Sequence, residues 1–135
     1  METLVRILHV EDDPSIRLIT KMTLERVGKL EVQSCANSQE AIDALPVFAP
    51  QIILLDVMMP GMDGPTTLKA LQNTYPMDTI LVLFMTAKVQ NQEIGEYLKM
   101  GAGGVITKPF EPMNLPQQLR DHWAAFQSSR ATAGV

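Results

Sequence analysis

Six polar side chains each stand just after an apolar segment of this 135-residue chain, at spacings that could bring them together. In chain order they are Glu11, Asp12, Asp13, Asp56, Thr86 and Lys108. Carboxylates that lie close together repel each other unless a cation offsets their charge. A carboxylate can also act as a nucleophile. The set therefore suggests a cation site that also carries a reactive group.

The residue types fit magnesium and phosphoryl chemistry better than zinc chemistry. Mg²⁺ prefers oxygen ligands, often one or two carboxylates together with water and a phosphate. Zinc sites usually contain histidine or cysteine, which this set lacks. Asp56 is suited to become an acyl phosphate, as a nucleophilic carboxylate. Lys108 and Thr86 could stabilise the phosphoryl oxygens through an ammonium and a hydroxyl.

Each of these residues also has a plain structural interpretation. A single aspartate or threonine at the end of a strand is more often a turn or capping residue. Asp13 directly precedes Pro14, which is the pattern of a helix N-cap followed by proline at the first helical position. We assign Asp13 that capping role. The conjunction of the other five residues at four strand ends favours a functional site.

The elements that must position these residues alternate between strand and helix. Apolar or alternating segments predict five strands, at 4–10, 30–35, 51–55, 80–85 and 104–107. Helical spacing, capping residues and turn residues predict five helices, at 14–27, 41–45, 66–75, 90–100 and 115–126. Pro46 and Pro50 are expected to bracket the connection after the second helix.

Five strand–helix repeats in a chain of this length predict one α/β domain. Parallel strands need crossover connections, so the expected architecture is a doubly wound, five-stranded parallel sheet with helices on both faces. Such folds bind ligands beyond the carboxyl ends of their strands. The polar residues described above lie at those ends.

Composition limits the classes of partner. The chain is 46% apolar and 19% charged, with a formal net charge of −4 and no basic block. We therefore expect no direct contact with nucleic acid and no membrane insertion. No stretch reaches the roughly 18 apolar residues that a membrane span needs. The single cysteine, Cys35, fits a buried thiol in a reduced compartment, so we expect a cytoplasmic protein.

Four segments resemble those of bacterial two-component response-regulator receiver domains of the chemotaxis-regulator type. They are Val10–Pro14 (VEDDP), Leu55–Gly64 (LDVMMPGMDG), Met85–Ala87 (MTA) and Thr107–Phe110 (TKPF). The resemblance runs from about Leu4 to Phe126. It implies a flavodoxin-like sheet of strand order 2-1-3-4-5. We expect the receiver domain to occupy residues 1–127 and residues 128–135 to form a flexible tail.

The resemblance also implies a role for each matching residue. Asp56 corresponds to the phosphoacceptor, and Thr86 and Lys108 correspond to the side chains that contact the phosphoryl group. The Lys108–Pro109 peptide bond is expected to be cis, an isomer that only X–Pro bonds adopt at low cost. The implied Mg²⁺ ligands are the side chains of Glu11, Asp12 and Asp56 and the backbone carbonyl of Met58.

Partners follow from the same resemblance. The donor would be a phosphohistidine on a sensor histidine kinase or on a histidine phosphotransfer protein. The output would be contact with a downstream protein, by a monomer or by a weak phosphorylation-dependent dimer. Such a domain is a signalling switch and not an enzyme in the usual sense, because it catalyses only its own phosphoryl transfer and autodephosphorylation.

One position departs from the pattern. Most such domains carry tyrosine or phenylalanine three residues before the lysine, where this chain has Val105. Valine is stiff and has no ring to swing inward. Our hypothesis is that the Thr86 end of the switch is kept while the output face, which consists of the fourth helix, the fifth strand and the fifth helix, responds differently or more weakly.

Two alternatives stay open at this point. A receiver-like module could bind proteins without phosphorylation, a possibility that Val105 supports. A hydrolase could use Asp56 as its nucleophile, but such enzymes commonly carry a second carboxylate two residues later, where this chain has Met58.

Overall fold

Parallel strands alternate with helices along the chain in the computed structural model, which describes residues 2–87 and 90–133. The strands are β1 Arg6–Val10, β2 Glu31–Cys35, β3 Ile52–Asp56, β4 Leu81–Thr86 and β5 Gly104–Thr107. The helices are α1 Pro14–Arg26, α2 Ser38–Phe48, α3 Gly64–Thr74, α4 Asn91–Lys99 and α5 Leu115–Ala133. A 3₁₀ turn, Pro112–Asn114, precedes α5.

The strand order is β2-β1-β3-β4-β5, and every pairing is parallel, as predicted. The register keeps the carboxyl ends of neighbouring strands level. Val10 pairs with both Cys35 and Leu55, and Thr86 pairs with Thr107. The residues that follow β1, β3, β4 and β5 therefore meet at one edge of the sheet.

Both faces of the sheet are covered, and each face has its own core. Leu8 and Val10 of β1 belong to a core cluster with side chains of α2, α3 and α4. Ile7, on the opposite face of β1, belongs to a second cluster with side chains of α1 and α5. All residues of β3 and β4 are buried, which explains their apolar sequences without alternation. Cys35 is buried in the first cluster, as predicted.

Helix α2 is longer than predicted and contains Pro46. Its start is fixed by Asn37, whose side chain accepts a hydrogen bond of 2.9 Å from the Glu40 N–H. The prediction that Pro46 ends the helix was wrong. The helix continues to Phe48, which packs against the first core cluster, and it ends at Ala49 in the left-handed region. Burial of Phe48 offsets the hydrogen bond that a proline removes.

Helix α5 also runs past its predicted end at residue 126 and reaches Ala133. Residues 128–133 are therefore helical, while residues 134–135 lie outside the described part of the chain. The segment 127–133 contains neither glycine nor proline, so each residue can extend the helix by one hydrogen bond. The Arg130 guanidinium lies 5.3 Å from the Phe126 ring centroid and adds a cation–π contact.

Within the described residues, no helix combines the length and the apolar character needed to span a bilayer.

Candidate functional site

Three carboxylates meet at the carboxyl edge of the sheet. Glu11 and Asp12 follow β1, and Asp56 is the last residue of β3. Their oxygen atoms all lie within 4.8 Å of one another, and they form a group that could hold a metal ion. Glu11 and Asp56 are buried, while Asp12 is exposed. The site thus has a buried floor and an open side.

Lys108 supplies the positive charge of the site. Its ammonium nitrogen donates to Glu11 Oε1 over 2.7 Å and to Asp56 Oδ1 over 3.0 Å. The backbone N–H of Lys108 donates to the carbonyl of Thr86 over 2.9 Å, which ties the residue to the end of β4. The peptide bond to Pro109 is cis, as the resemblance implied. One cation therefore bridges two of the three acids.

Burial and charge shift the pKa values of this pair. Burial is the main cause that raises the pKa of the Glu11 carboxyl to about 7, and neighbouring Asp56 raises it further against the opposing effect of Lys108. Burial alone would lower the pKa of the Lys108 ammonium. Its hydrogen bonds to Glu11 and Asp56 outweigh burial, so its pKa is raised. Lys108 consequently stays charged at neutral pH.

Thr86 and Met58 border the carboxylates. Thr86 is buried and ends β4 beside Asp56, which pairs with the preceding Met85. The backbone N–H of Met58 donates to Asp56 Oδ1 over 3.4 Å, and 67% of the Met58 side chain is exposed. The structure thus brings both predicted residues to the acid cluster.

Asp13 has the capping role assigned to it. Its carboxylate accepts hydrogen bonds from the Ser15 N–H over 2.8 Å and from the Ile16 N–H over 3.3 Å at the start of α1. These bonds satisfy two backbone donors that the first turn leaves open. Asp13 is not part of the acid cluster.

Two supporting residues were missed in the sequence. Arg17 of α1 donates to the carbonyls of Glu11 and Asp12 over 2.7 and 2.9 Å and so holds the acid loop. A side chain at Gly64 would place its Cβ 2.8 Å from the Asp56 carbonyl oxygen, so only glycine allows α3 to begin this close to the site. Gly64 ends the segment Leu55–Gly64 that resembles receiver domains, whereas no pattern in the sequence pointed to Arg17.

A family model described as the response regulator receiver domain matches residues 7–120. The chain belongs to this family. Receiver domains are phosphoaccepting switches of two-component signalling, so the family match favours the phosphoacceptor prediction over its alternatives. It also supports the prediction that the domain acts as a signalling switch. The acid cluster fits the Mg²⁺ that the family typically uses.

Known proteins of this type resemble the receiver domain closely. The response regulator Rre1 of Synechocystis sp. is 30% identical over 125 residues, which are 93% of this chain and 54% of that protein. A protein-glutamate methylesterase/protein-glutamine glutaminase of Halalkalibacterium halodurans is 34% identical over 90% of this chain and 35% of that protein. The receiver domain thus spans about half or less of these two relatives.

The fold comparison agrees with the sequence. The chemotaxis response regulator CheY4 of Vibrio cholerae superposes with a TM-score of 0.80 and 30% identity, over 89% of this chain and 99% of that structure. The single α/β domain predicted from the strand–helix repeats and the flavodoxin-like strand order implied by the resemblance are thereby confirmed.

Proposed function

We propose that Asp56 of this receiver domain accepts a phosphoryl group from a phosphohistidine and that the modification changes the surface offered to a protein partner. One observation carries the proposal: the buried Asp56 carboxylate lies 3.0 Å from the Lys108 ammonium, beside the carboxylates of Glu11 and Asp12. A nucleophilic carboxylate, a fixed cation and a set of oxygen ligands are the groups that phosphoryl transfer needs.

The residues present fit magnesium. The proposed ligands are carboxylate oxygens of Glu11, Asp12 and Asp56 and the backbone carbonyl of Met58. All are hard oxygen donors, and the exposed Asp12 leaves the cluster open to solvent, which suits an ion that keeps several waters. When bound, Mg²⁺ would neutralise charge on the carboxylates and on the phosphoryl oxygens.

The proposed phosphoryl transfer uses the side chains of Asp56, Lys108 and Thr86. A carboxylate oxygen of Asp56 attacks phosphorus, the new P–O bond forms as the P–N bond to the donor imidazole breaks, and the imidazole leaves with the electron pair. Lys108 already holds Asp56 and is placed to donate to a phosphoryl oxygen. The hydroxyl of Thr86 is proposed to donate to another. Hydrolysis by water reverses the modification.

An apolar groove beside the site supports a protein donor. A cavity of about 400 Å³ opens next to Lys108 and Ala87. Its other walls are Ile16, Ile19, Pro109, Phe110 and Pro112. A protein whose phosphohistidine reaches Asp56 must cover this rim, and an apolar groove bordered by charge is the usual composition of a protein interface. We propose that a histidine kinase or a phosphotransfer protein rests here during transfer.

Beryllofluoride with Mg²⁺ tests the proposal, because its adduct with a carboxylate mimics an aspartyl phosphate. We expect amide resonance shifts at Asp56, Thr86 and Lys108 that disappear without Mg²⁺ and in Asp56→Asn. Asp63→Asn is the matched control, because Asp63 caps α3 in the same loop and asparagine is an equally good cap. A receiver domain that fails to respond at saturating Mg²⁺ would instead be a phosphorylation-independent binding module.

A further inference from the structure

Buried polar side chains on the α1 side of the sheet have no hydrogen-bond partner within the described part of the chain. They are both ring nitrogens of His9, the hydroxyl of Thr20 and the hydroxyl of Ser34. His9 and Thr20 are completely buried. Buried polar groups in native proteins are nearly always hydrogen-bonded to protein or to ordered water. These side chains therefore require a ligand that the protein itself does not supply.

The fold brings the three side chains to one place. His9 of β1 and Ser34 of β2 are register partners, so their side chains project from the same face of the sheet. Alternation along β1 puts His9 on the face of Ile7, which belongs to the cluster beneath α1 and α5. Within the sheet, His9 and Ser34 are thus neighbours under α1.

Helix α1 places Thr20 above this pair. Arg17 contacts the carbonyl of Glu11 beyond the end of β1, and Leu24 packs in the second core cluster together with Ile7. Thr20 lies between Arg17 and Leu24 on the same helix face, because residues three and four apart share a face. His9 lies between Glu11 and Ile7 on the strand below. The completely buried Thr20 therefore faces the sheet on the side that carries His9.

The chemistry of the three groups selects a neutral ligand. Each hydroxyl can donate and accept hydrogen bonds, and an imidazole ring that carries one proton has one donor and one acceptor nitrogen. Arg17 and Lys108 both reach Glu11 at the end of β1, and their positive charges oppose a cation. Both cations already donate to acceptors at the acid cluster, so neither is directed at an anion between the three side chains. Water has two donors and two acceptors and can serve all three side chains.

We propose that His9, Thr20 and Ser34 form an internal hydration site that holds one ordered water between α1, β1 and β2. Buried waters occur about once per 27 residues and typically make about three hydrogen bonds, which here would be one to each of the three side chains. The site lies two residues before Glu11, beneath the helix whose Arg17 holds the acid loop. The water would thus help to keep α1 and the acid loop in position. The inference does not depend on the proposed phosphorylation.

A high-resolution crystal structure and oxygen-17 relaxation dispersion, which counts long-lived internal waters, test the proposal together. We expect a density peak within hydrogen-bonding distance of the His9 ring and both hydroxyls. The isosteric Thr20→Val should lose one long-lived water, and Thr20→Ser should keep it. Thr23→Val, which alters another buried threonine of α1, is the matched control and should also keep it.

Two results would overturn the proposal. One is a crystal structure in which His9 bonds directly to Thr20 or Ser34 with no water between them. The other is an unchanged water count in Thr20→Val. Ser34→Ala gives an independent check from β2, because it removes a different partner of the same water and should reduce the count by one as well.

Discussion

The ammonium nitrogen of Lys108 lies 2.7 Å from Glu11 Oε1, although 97 positions separate the two residues in the chain. The same nitrogen lies 3.0 Å from Asp56. Only 21% of the Lys108 side chain is exposed, and the two carboxylates are almost fully buried. The cation is thus positioned before any phosphoryl group arrives. A preorganised charge of this kind needs no reorganisation during the reaction.

Replacing Lys108 by methionine should therefore slow phosphorylation of Asp56 by roughly 100-fold, the usual effect of removing one positioned donor. The rate of phosphoryl incorporation from a phosphohistidine donor measures it. Lys69→Met removes an exposed lysine on α3 and should leave the rate unchanged. A decrease of less than about two-fold in Lys108→Met would show that the lysine does not stabilise the transferred group.

Asp12 and Asp13 are adjacent and exposed, yet their roles should separate. Asp13→Ala removes the cap of α1 and should lower the free energy of unfolding by about 1 kcal/mol, with little change in Mg²⁺ affinity. Asp12→Ala should do the reverse and weaken Mg²⁺ binding by roughly 10-fold or more. Denaturant unfolding and Mg²⁺ titration on both variants provide the comparison. Equal loss of Mg²⁺ affinity in the two variants would contradict the assignment of Asp13 as a cap.

The parallel sheet and the acid cluster could be predicted because both depend on local patterns, whereas the strand order came from the resemblance to receiver domains. The uninterrupted apolar residues of β3 and β4 indicate central strands, and the polar residue after each strand must lie at the carboxyl edge. The roles of the individual site residues came from the resemblance to receiver domains. Spacing alone predicts that they meet, but it does not predict which carboxylate is the acceptor.

The misplaced helix ends have a different cause. Pro46 is a local signal to stop, but Phe48 gains burial against the core, and only the tertiary structure reveals this contact. The contacts of Arg17 were missed for the same reason. Its guanidinium donates to backbone carbonyls, and because every residue has a carbonyl, no sequence pattern predicts such a contact. Local patterns thus predict elements, whereas long side chains and helix ends depend on packing.

Buried His9 should make the stability of the domain depend on pH. Its pKa is about 3 in the folded state against an ordinary value of 6.5, so the unfolded chain binds more protons between these values. The contribution of His9 to stability is therefore fully present above about pH 6.5 and is lost as the pH drops toward 3, by roughly 1 kcal/mol per unit. Denaturant unfolding of wild type and His9→Leu from about pH 7 to 4 measures the slope.

On acidification, His9→Leu should lose less stability than wild type, because leucine takes up no proton. Val10→Ala is the control: it removes buried apolar volume from the same strand and should lower stability at every pH without changing the slope. Parallel pH profiles of wild type and His9→Leu would rule out a contribution from His9.

Val105 offers a test of how the output face responds. Its side chain is partly buried against the first core cluster and borders a cavity of about 290 Å³, whose walls include Phe110, Gln118 and His122. With beryllofluoride and Mg²⁺, we expect strong amide shifts at Thr86 and weak ones along β5 and α4 in wild type. Val105→Tyr should enlarge the β5 and α4 shifts, because it supplies the ring that valine lacks.

Val105→Ile is the matched control, since it adds apolar volume without a ring and should keep the weak response. All three proteins should show the same shifts at Asp56, because β4 separates β5, which carries Val105, from β3, which carries Asp56. If wild type and Val105→Tyr respond equally along β5 and α4, the aromatic ring is not what transmits the signal in this domain. A movement of Thr86 would then have to reach the output face through the hydrogen bond that the Lys108 N–H donates to the Thr86 carbonyl.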